Sequence, residues 1–305
     1  MIFGIDVGGT TVKIGLVDND GNIIDKWAIR TNKADEGVHI LPDIYNSIKE
    51  YCDRKKIDIK SILGYGFGIP GPIKNSFVLK TPNLPWNGLN VREEFIKILG
   101  FDAKVSAGND ATVAGAGELW KIGGDYKDVV MVTLGTGVGG GIILNGQPID
   151  GSKGAGGEIG HMHVDNKYNF KCGCGNVGCL ETVTSATGVT NIFKANYDKS
   201  KTSLDVSNVS SKQIFMAAEK GDVLALEVVD EVSRYLGSAL AMISAVVDPE
   251  VFIIGGGVSA AGEFLLSRVR KAYKDKAFFP TKETKIVRAQ LGNDAGIVGA
   301  AYLVR

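Results

Sequence analysis

The first residues set a pattern of apolar strands broken by glycine. IFGIDVGGTTVKIGLVDNDGNII reads as an apolar strand, a Gly/Thr turn, a second apolar strand and an Asp-Gly turn. About 125 residues later VVMVTLGTGVGGGIILNGQPI repeats the layout and closes on Asn-Gly. In both, β-branched residues resume directly after the glycines, so each unit is strand–turn–strand, which argues against a strand–turn–helix dinucleotide-binding unit. Helical spacing predicts helices at about 35–56, 91–99, 110–121, 210–220, 222–247, 259–275 and 294–304, with strands at about 62–69, 103–107, 250–255 and 285–289. A hairpin followed by alternating strands and helices, twice over, predicts two α/β domains with mixed sheets and an interdomain cleft. The last helix, NDAGIVGAAYLV, is expected to pack back on the first half, giving an N-terminal domain of 1–118 joined by 294–305 and a C-terminal domain of 119–293.

Composition narrows the function. With 305 residues, 44% hydrophobic and 22% charged, the chain lies in the ordinary globular range and can bury two cores. Thirty-four basic residues balance thirty-four acidic ones, so there is no broad positive field for nucleic acid or an anionic membrane. The N-terminus enters a strand without a basic region or cleavable apolar stretch, and no apolar run reaches the roughly 18 residues of a membrane helix. A cytoplasmic protein is expected.

The glycines are where chemistry enters. Gly8, Gly9, Gly135, Gly137, Gly139, Gly140 and Gly141 allow close backbone approach, as a loop wrapping phosphate oxygens with its N–H groups requires. Thr10, Thr11 and Thr136 add hydroxyl donors and Lys13 a cation. A single Gly-rich hairpin is most often only a tight turn, and the duplication is what raises the nucleotide reading. A third cluster, VFIIGGGVSAAGEFLL, runs from strand through Gly256 and Gly257 into a helix expected from about Ser259, where flat backbone can seat an adenosine. Asp6 lies in an apolar strand, a costly place for a carboxylate without a partner. Asp110 follows Gly108-Asn109 at a strand end just before an apolar helix, where a helix cap is the bland alternative to a catalytic carboxylate. In PNLPW two prolines bracket Asn83 in an extended loop, with Trp86 a candidate core residue.

Three of the four cysteines and two of the three histidines fall in HMHVDNKYNFKCGCGNVGCLE. Cys172, Cys174 and Cys179 follow C-x-C-x4-C, and a reducing compartment favours metal ligation or chemistry over disulfides. His161 and His163 both compete to complete a tetrahedral Cys₃His set. Cys52 stands alone in a helix and reads as a small buried hydrophobe.

Taken in order, DVGGTTVKIG, GIPGPI, PNLPW, NDA, LGTGVGGGII, GEIGH, CGCGNVGCLE and GGGVS resemble the ROK sugar kinases (repressor, open reading frame, kinase) of the actin-like ATPase superfamily, over essentially the whole chain and with a lean to the bacterial glucokinase branch. The resemblance implies an actin-like (ribonuclease H-like) fold and an ATP-dependent hexose kinase that phosphorylates the 6-hydroxyl of glucose. It makes Asp110 the general base and gives Gly68, Asn83, Asn109, Glu158, His161 and Glu181 to the sugar. ATP and Mg²⁺ fall to Asp6, Gly8, Gly9, Thr10, Thr11, Lys13, Gly135, Thr136, Gly137, Gly256 and Gly257. A structural Zn²⁺ falls to His161, Cys172, Cys174 and Cys179, with His161 using its other ring nitrogen toward the sugar. The zinc would then fix Glu158 and Glu181, which flank the segment, relative to each other. N-acetylmannosamine or N-acetylglucosamine kinase is the alternative of the same class, and polyphosphate a possible second donor. A ROK transcriptional repressor would carry a DNA-binding domain before the first hairpin, which here starts at residue 2. Relatives of this kind form homodimers or homotetramers.

Overall fold

The computed structural model describes residues 1–81, 83–123 and 126–305. Strands β1 (Ile2–Val7), β2 (Thr11–Val17) and β3 (Ile23–Arg30) form an antiparallel meander. Helix α1 (Ile40–Lys55) leads to β4 (Gly64–Ile69), then to the short strands β5 (Ile73–Lys74), β6 (Phe77–Lys80) and β7 (Asn87–Asn90). Helix α2 (Val91–Leu99), β8 (Lys104–Asn109) and α3 (Asp110–Ile122) follow. The main sheet has the order β3-β2-β1-β4-β8, with β4 parallel to both β1 and β8.

The second half repeats this order. Strands β9 (Val129–Leu134), β10 (Val138–Leu144) and β11 (Gln147–Pro148) are followed by helices α4 (Leu180–Thr184), α5 (Ala186–Ala195), α6 (Ser211–Glu219) and α7 (Val223–Val247). Then come β12 (Val251–Gly255), α8 (Glu263–Lys276), β13 (Lys285–Arg288) and α9 (Ala295–Tyr302). The sheet order is β11-β10-β9-β12-β13, third-second-first-fourth-fifth as before.

The period of two along β1 explains why its sheet is covered on both sides. Phe3, Ile5 and Val7 join the core formed with Ile40, Ile44, Ile48 and Tyr51 of α1, while Ile2 faces Ile297 and Ala301 of α9. Helix α9 is apolar all round, as a helix buried on every side must be. It reaches the sheet because Gly66 has no Cβ; one there would collide with the Ala300 carbonyl.

The chain divides into two compact units, Met1–Lys127 with Gly141–Gly157 and Gln290–Arg305, and Asp128–Gly140 with Glu158–Ala289. The expected boundary after residue 118 falls inside α3, and residues 141–157 join the first unit. There the bare Gly141 lies on the start of α3, where a Cβ would stand 2.5 Å from Thr112 Cα. Among the described residues no helix is long and apolar enough to cross a membrane.

Several elements depart from the predicted ones. The helix expected from 35 begins at Ile40, because Asp35, Glu36 and Gly37 all take positive φ. The helix expected from Ser259 begins at Glu263, after a 3₁₀ turn and Gly262 at φ 58°. Helices α4 and α5 went unpredicted because their run of β-branched residues, Thr182, Val183, Thr184, Thr187, Val189, Thr190 and Ile192, carries no helix preference.

Candidate functional site

In the first unit the candidates gather at the carboxyl ends of parallel strands. Asp6 pairs in register with Gly68, and Gly68 with Gly108, so β1, β4 and β8 end side by side, with Asn109 one residue on. Ligands of open α/β sheets sit outside such strand ends. Asp6 has a partner within its hairpin: Lys13, directly opposite on β2, donates to its carboxylate at 3.0 Å. The turn between them is tight, with Gly8 N–H donating to Thr11 O at 3.0 Å. It is braced by Thr31, whose hydroxyl donates to Gly8 O at 2.7 Å and whose N–H donates to Thr10 O. Sequence reading passed over Thr31, a strand-end threonine with no distinguishing spacing.

The cap of α3 goes to Asn109. Its Oδ1 accepts from Ala111 N–H at 2.9 Å and Thr112 N–H at 3.2 Å, and its Nδ2 donates to Gly71 O at 3.2 Å. Asp110 is the first helical residue, exposed, its Oδ1 accepting from the Ala111 N–H at 2.8 Å. The bland reading of Asp110 as the cap is therefore displaced by one residue. Asn83 is exposed and lies against Gly9. Trp86 is buried, its Nε1–H donating to Gly37 O, and is a core residue. Pro82, the first residue of PNLPW, lies outside the described residues.

In the second unit the other glycine hairpin turns with Gly135 N–H donating to Gly137 O at 3.0 Å. Its tip rests on the start of α5, where Ala186 N–H donates to Gly135 O and the Thr187 hydroxyl to Thr136 O. Gly256, at φ 81°, must be glycine, and a Cβ there would strike the backbone of Leu134 at 2.5 Å. The triple-glycine segment is thus packed against the foot of this hairpin, while Gly257 faces open space.

The cysteine segment folds into a knuckle in the same unit. Ligand atoms of His161, Cys172, Cys174 and Cys179 all lie within 4.8 Å of one another. Cys174 and Cys179 sulfurs are 3.8 Å apart, and Cys172 Sγ is 3.5 Å from His161 Nδ1. A tetrahedral zinc with Zn–S of about 2.3 Å and Zn–N of about 2.0–2.1 Å sets those edges at roughly 3.8 and 3.5 Å. The four residues fit that ion. Burial pushes the Cys172 thiol up to about 12, whereas the Asn176 backbone N–H draws the Cys174 thiol below its usual value. His163 is otherwise engaged, Nδ1 with Val177 O at 3.0 Å and Nε2 with Asn166 Oδ1 at 2.9 Å.

His161 Nε2, on the far side of the ring, is 3.8 Å from Glu158 Oε2. Glu181, in the first turn of α4, accepts from Val138 N–H at 3.0 Å with Oε2, and its Oε1 accepts from Cys172 Sγ at 3.5 Å. The knuckle hangs on Asp165, which sequence reading missed. This buried carboxylate accepts from the N–H groups of Lys167, Tyr168 and Asn169 and from the hydroxyl of Tyr235 on α7, at 2.7–3.2 Å. Burial alone would raise its pKa; these hydrogen bonds outweigh it and hold the carboxyl below its usual value. Its loop partners lie two to four residues on, as for many surface aspartates, and the partner that ties the knuckle to α7, Tyr235, is 70 residues away and carries no local spacing.

Two α/β repeats, each with a glycine hairpin at the heart of a mixed five-stranded sheet and the same strand order, define an actin-like ATPase fold. The chain belongs to the ROK family, whose profile matches residues 2–305. It is 38% identical to a glucokinase of Halalkalibacterium halodurans over 99% of this chain and 94% of that protein. It is 30% identical to an N-acetyl-D-glucosamine kinase of Citrobacter koseri over 99% of both chains. A ROK family glucokinase from Streptomyces griseus, solved in complex with glucose and AMPPNP, superposes with a TM-score of 0.76 at 31% identity, covering 100% of this chain and 99% of the other.

Proposed function

We propose that the chain is an ATP-dependent hexose kinase that transfers the γ-phosphoryl group of ATP to the 6-hydroxyl of glucose. The observation that carries this reading is the register of the first sheet, in which Asp6, Gly68 and the Gly108–Asp110 segment end adjacent parallel strands beside a glycine hairpin. The similarity to glucokinases over nearly the full length supports glucose as the acceptor.

Asp110 is the general base. As the sugar O6 forms its bond to the γ-phosphorus, the bond to the β,γ-bridging oxygen breaks, ADP leaves, and the hydroxyl proton passes to the Asp110 carboxylate. Asn109, fixed by its cap and by Gly71, and Asn83, Gly68, Glu158, His161 and Glu181 hold the sugar. The hairpin turns at Gly8–Thr11 and Gly135–Gly137, with Lys13, hold the phosphates, and Gly256–Gly257 seats the nucleoside. Mg²⁺ accompanying the nucleotide would neutralise charge on the phosphates. Asp6, whose Oδ2 accepts from Lys13, would face that group through water. His161, Cys172, Cys174 and Cys179 would hold zinc; with four protein ligands it would be structural and would orient Glu158 and Glu181.

The second reading, an N-acetylhexosamine kinase, is favoured by the Citrobacter koseri relative. A coupled assay decides between them, with ATP or polyphosphate as donor and glucose, mannose, N-acetylglucosamine and N-acetylmannosamine as acceptors. Glucose is expected to give the highest kcat/KM. A higher value for either N-acetyl sugar would move the assignment to that substrate, and turnover of none of the four would end the kinase reading.

A further inference from the structure

In each glycine hairpin one glycine is bare on account of a candidate sugar residue. Gly9 and Gly137 both lie outside the positive-φ region, so neither backbone requires glycine. A Cβ on Gly9 would stand 3.0 Å from both Cβ and O of Asn83. A Cβ on Gly137 would overlap Glu181 Oε2 and come within 3.1 Å of its Cδ. The same Oε2 accepts from the N–H of Val138, the next residue of the hairpin, at 3.0 Å. Gly135 differs: a Cβ there would meet nothing closer than Gly137 O at 4.0 Å.

We propose that Glu181 is the positioning residue of the second phosphate hairpin. Its Oε2 holds the hairpin backbone at Val138, its Oε1, which accepts from the Cys172 thiol and would be released once that sulfur binds zinc as a thiolate, serves the sugar, and Gly137 is glycine in order to admit that carboxylate. In the first unit a Cβ on Gly9 would crowd Asn83 at 3.0 Å. The inference rests on the sugar and nucleotide assignments above and adds that, within each unit, the two sites share a contact. Ordering the sugar residue orders the turn that grips phosphate, so the two affinities are linked, and linkage runs both ways.

Calorimetry tests this by titrating AMPPNP without sugar, and glucose without nucleotide, into the wild type, Glu181→Ala, Glu181→Asp, Gly137→Ala and the double variant Gly137→Ala/Glu181→Asp. Removing the acceptor for Val138 N–H should weaken sugar-free AMPPNP binding by Glu181→Ala about three- to tenfold, the range of one hydrogen bond. Gly137→Ala should weaken glucose binding more than about tenfold, although no nucleotide is present. Shortening residue 181 makes room for the new Cβ, so the double variant should bind both ligands at least about fivefold better than the product of the single effects, as touching residues do. The proposal is overturned if Glu181→Ala changes sugar-free AMPPNP affinity less than threefold, or if the single effects simply multiply. A wild type that binds AMPPNP but not glucose would refute the sugar assignment, while the sugar-free arm still decides the role of Glu181.

Discussion

Replacing Asp110 with asparagine separates a chemical role from a structural one, and the structure sets the size of each. The cap of α3 belongs to Asn109, which keeps both of its bonds, to the N–H groups of Ala111 and Thr112, in the variant. Asparagine at 110 also retains an oxygen for the Ala111 N–H that Asp110 Oδ1 accepts at 2.8 Å. The negative charge that the variant removes from the first helical turn is worth about 0.3–1 kcal/mol. In a chain of this size that shifts Tm by no more than about 4 °C. As a general base, by contrast, Asp110 contributes roughly 10²–10⁴-fold to kcat, or about 3–5 kcal/mol of barrier. Asparagine can still donate to or accept from the 6-hydroxyl, but it cannot take the proton. The expected outcome is a kcat lowered by at least about a hundredfold, with glucose Kd, Tm and zinc content near wild type. A coupled ADP assay, calorimetry, thermal melting and metal analysis on one preparation measure all four. A variant keeping more than about a tenth of wild-type kcat would refute the base assignment, and a Tm falling in step with activity would show that the charge matters to the fold.

Protein purified without added metal should carry about one zinc per chain, because Cys₃His sites bind tightly near neutral pH. Cys174→Ser should lose zinc and glucose affinity together by metal analysis and calorimetry, while Cys52→Ser, on the buried face of α1, keeps both. With Glu158 accepting from the sugar 2-hydroxyl, which 2-deoxyglucose lacks, Glu158→Gln should weaken glucose binding more than 2-deoxyglucose binding; equal losses would place Glu158 elsewhere. Asp165→Asn should destabilise the protein to urea by about 1–3 kcal/mol, because an amide N–H₂ would face backbone donors. The folded pKa of Asp165 is lowered, so its stabilisation is full above about pH 4, the unfolded value, and is lost as pH falls through the folded one. The urea gap between wild type and variant should therefore narrow below pH 4, and a constant gap would deny Asp165 that role.

The repeated hairpins, the strand-helix alternation after them and the C-x-C-x4-C spacing are local facts, and the chain states them outright. A turn of glycines between β-branched runs has one economical fold, and three cysteines within eight residues meet in any compact loop. The order of the motifs along 305 residues extended that to family and fold. Other features arise only when distant segments meet. Asn109 rather than Asp110 capping α3 is a matter of one residue's φ and ψ, which two neighbouring cap-forming side chains leave open. The resemblance already pointed to His161, and in space Val177 and Asn166 occupy both nitrogens of the competing His163. The joining of 141–157 to the first unit depends on bare Gly141 meeting α3. Asp165 gains its meaning from Tyr235, and Gly137 from Glu181, at separations of 70 and 44 residues. Local periodicity records which face of an element is apolar; it holds no term for which side chain will later need the space where a Cβ would have been.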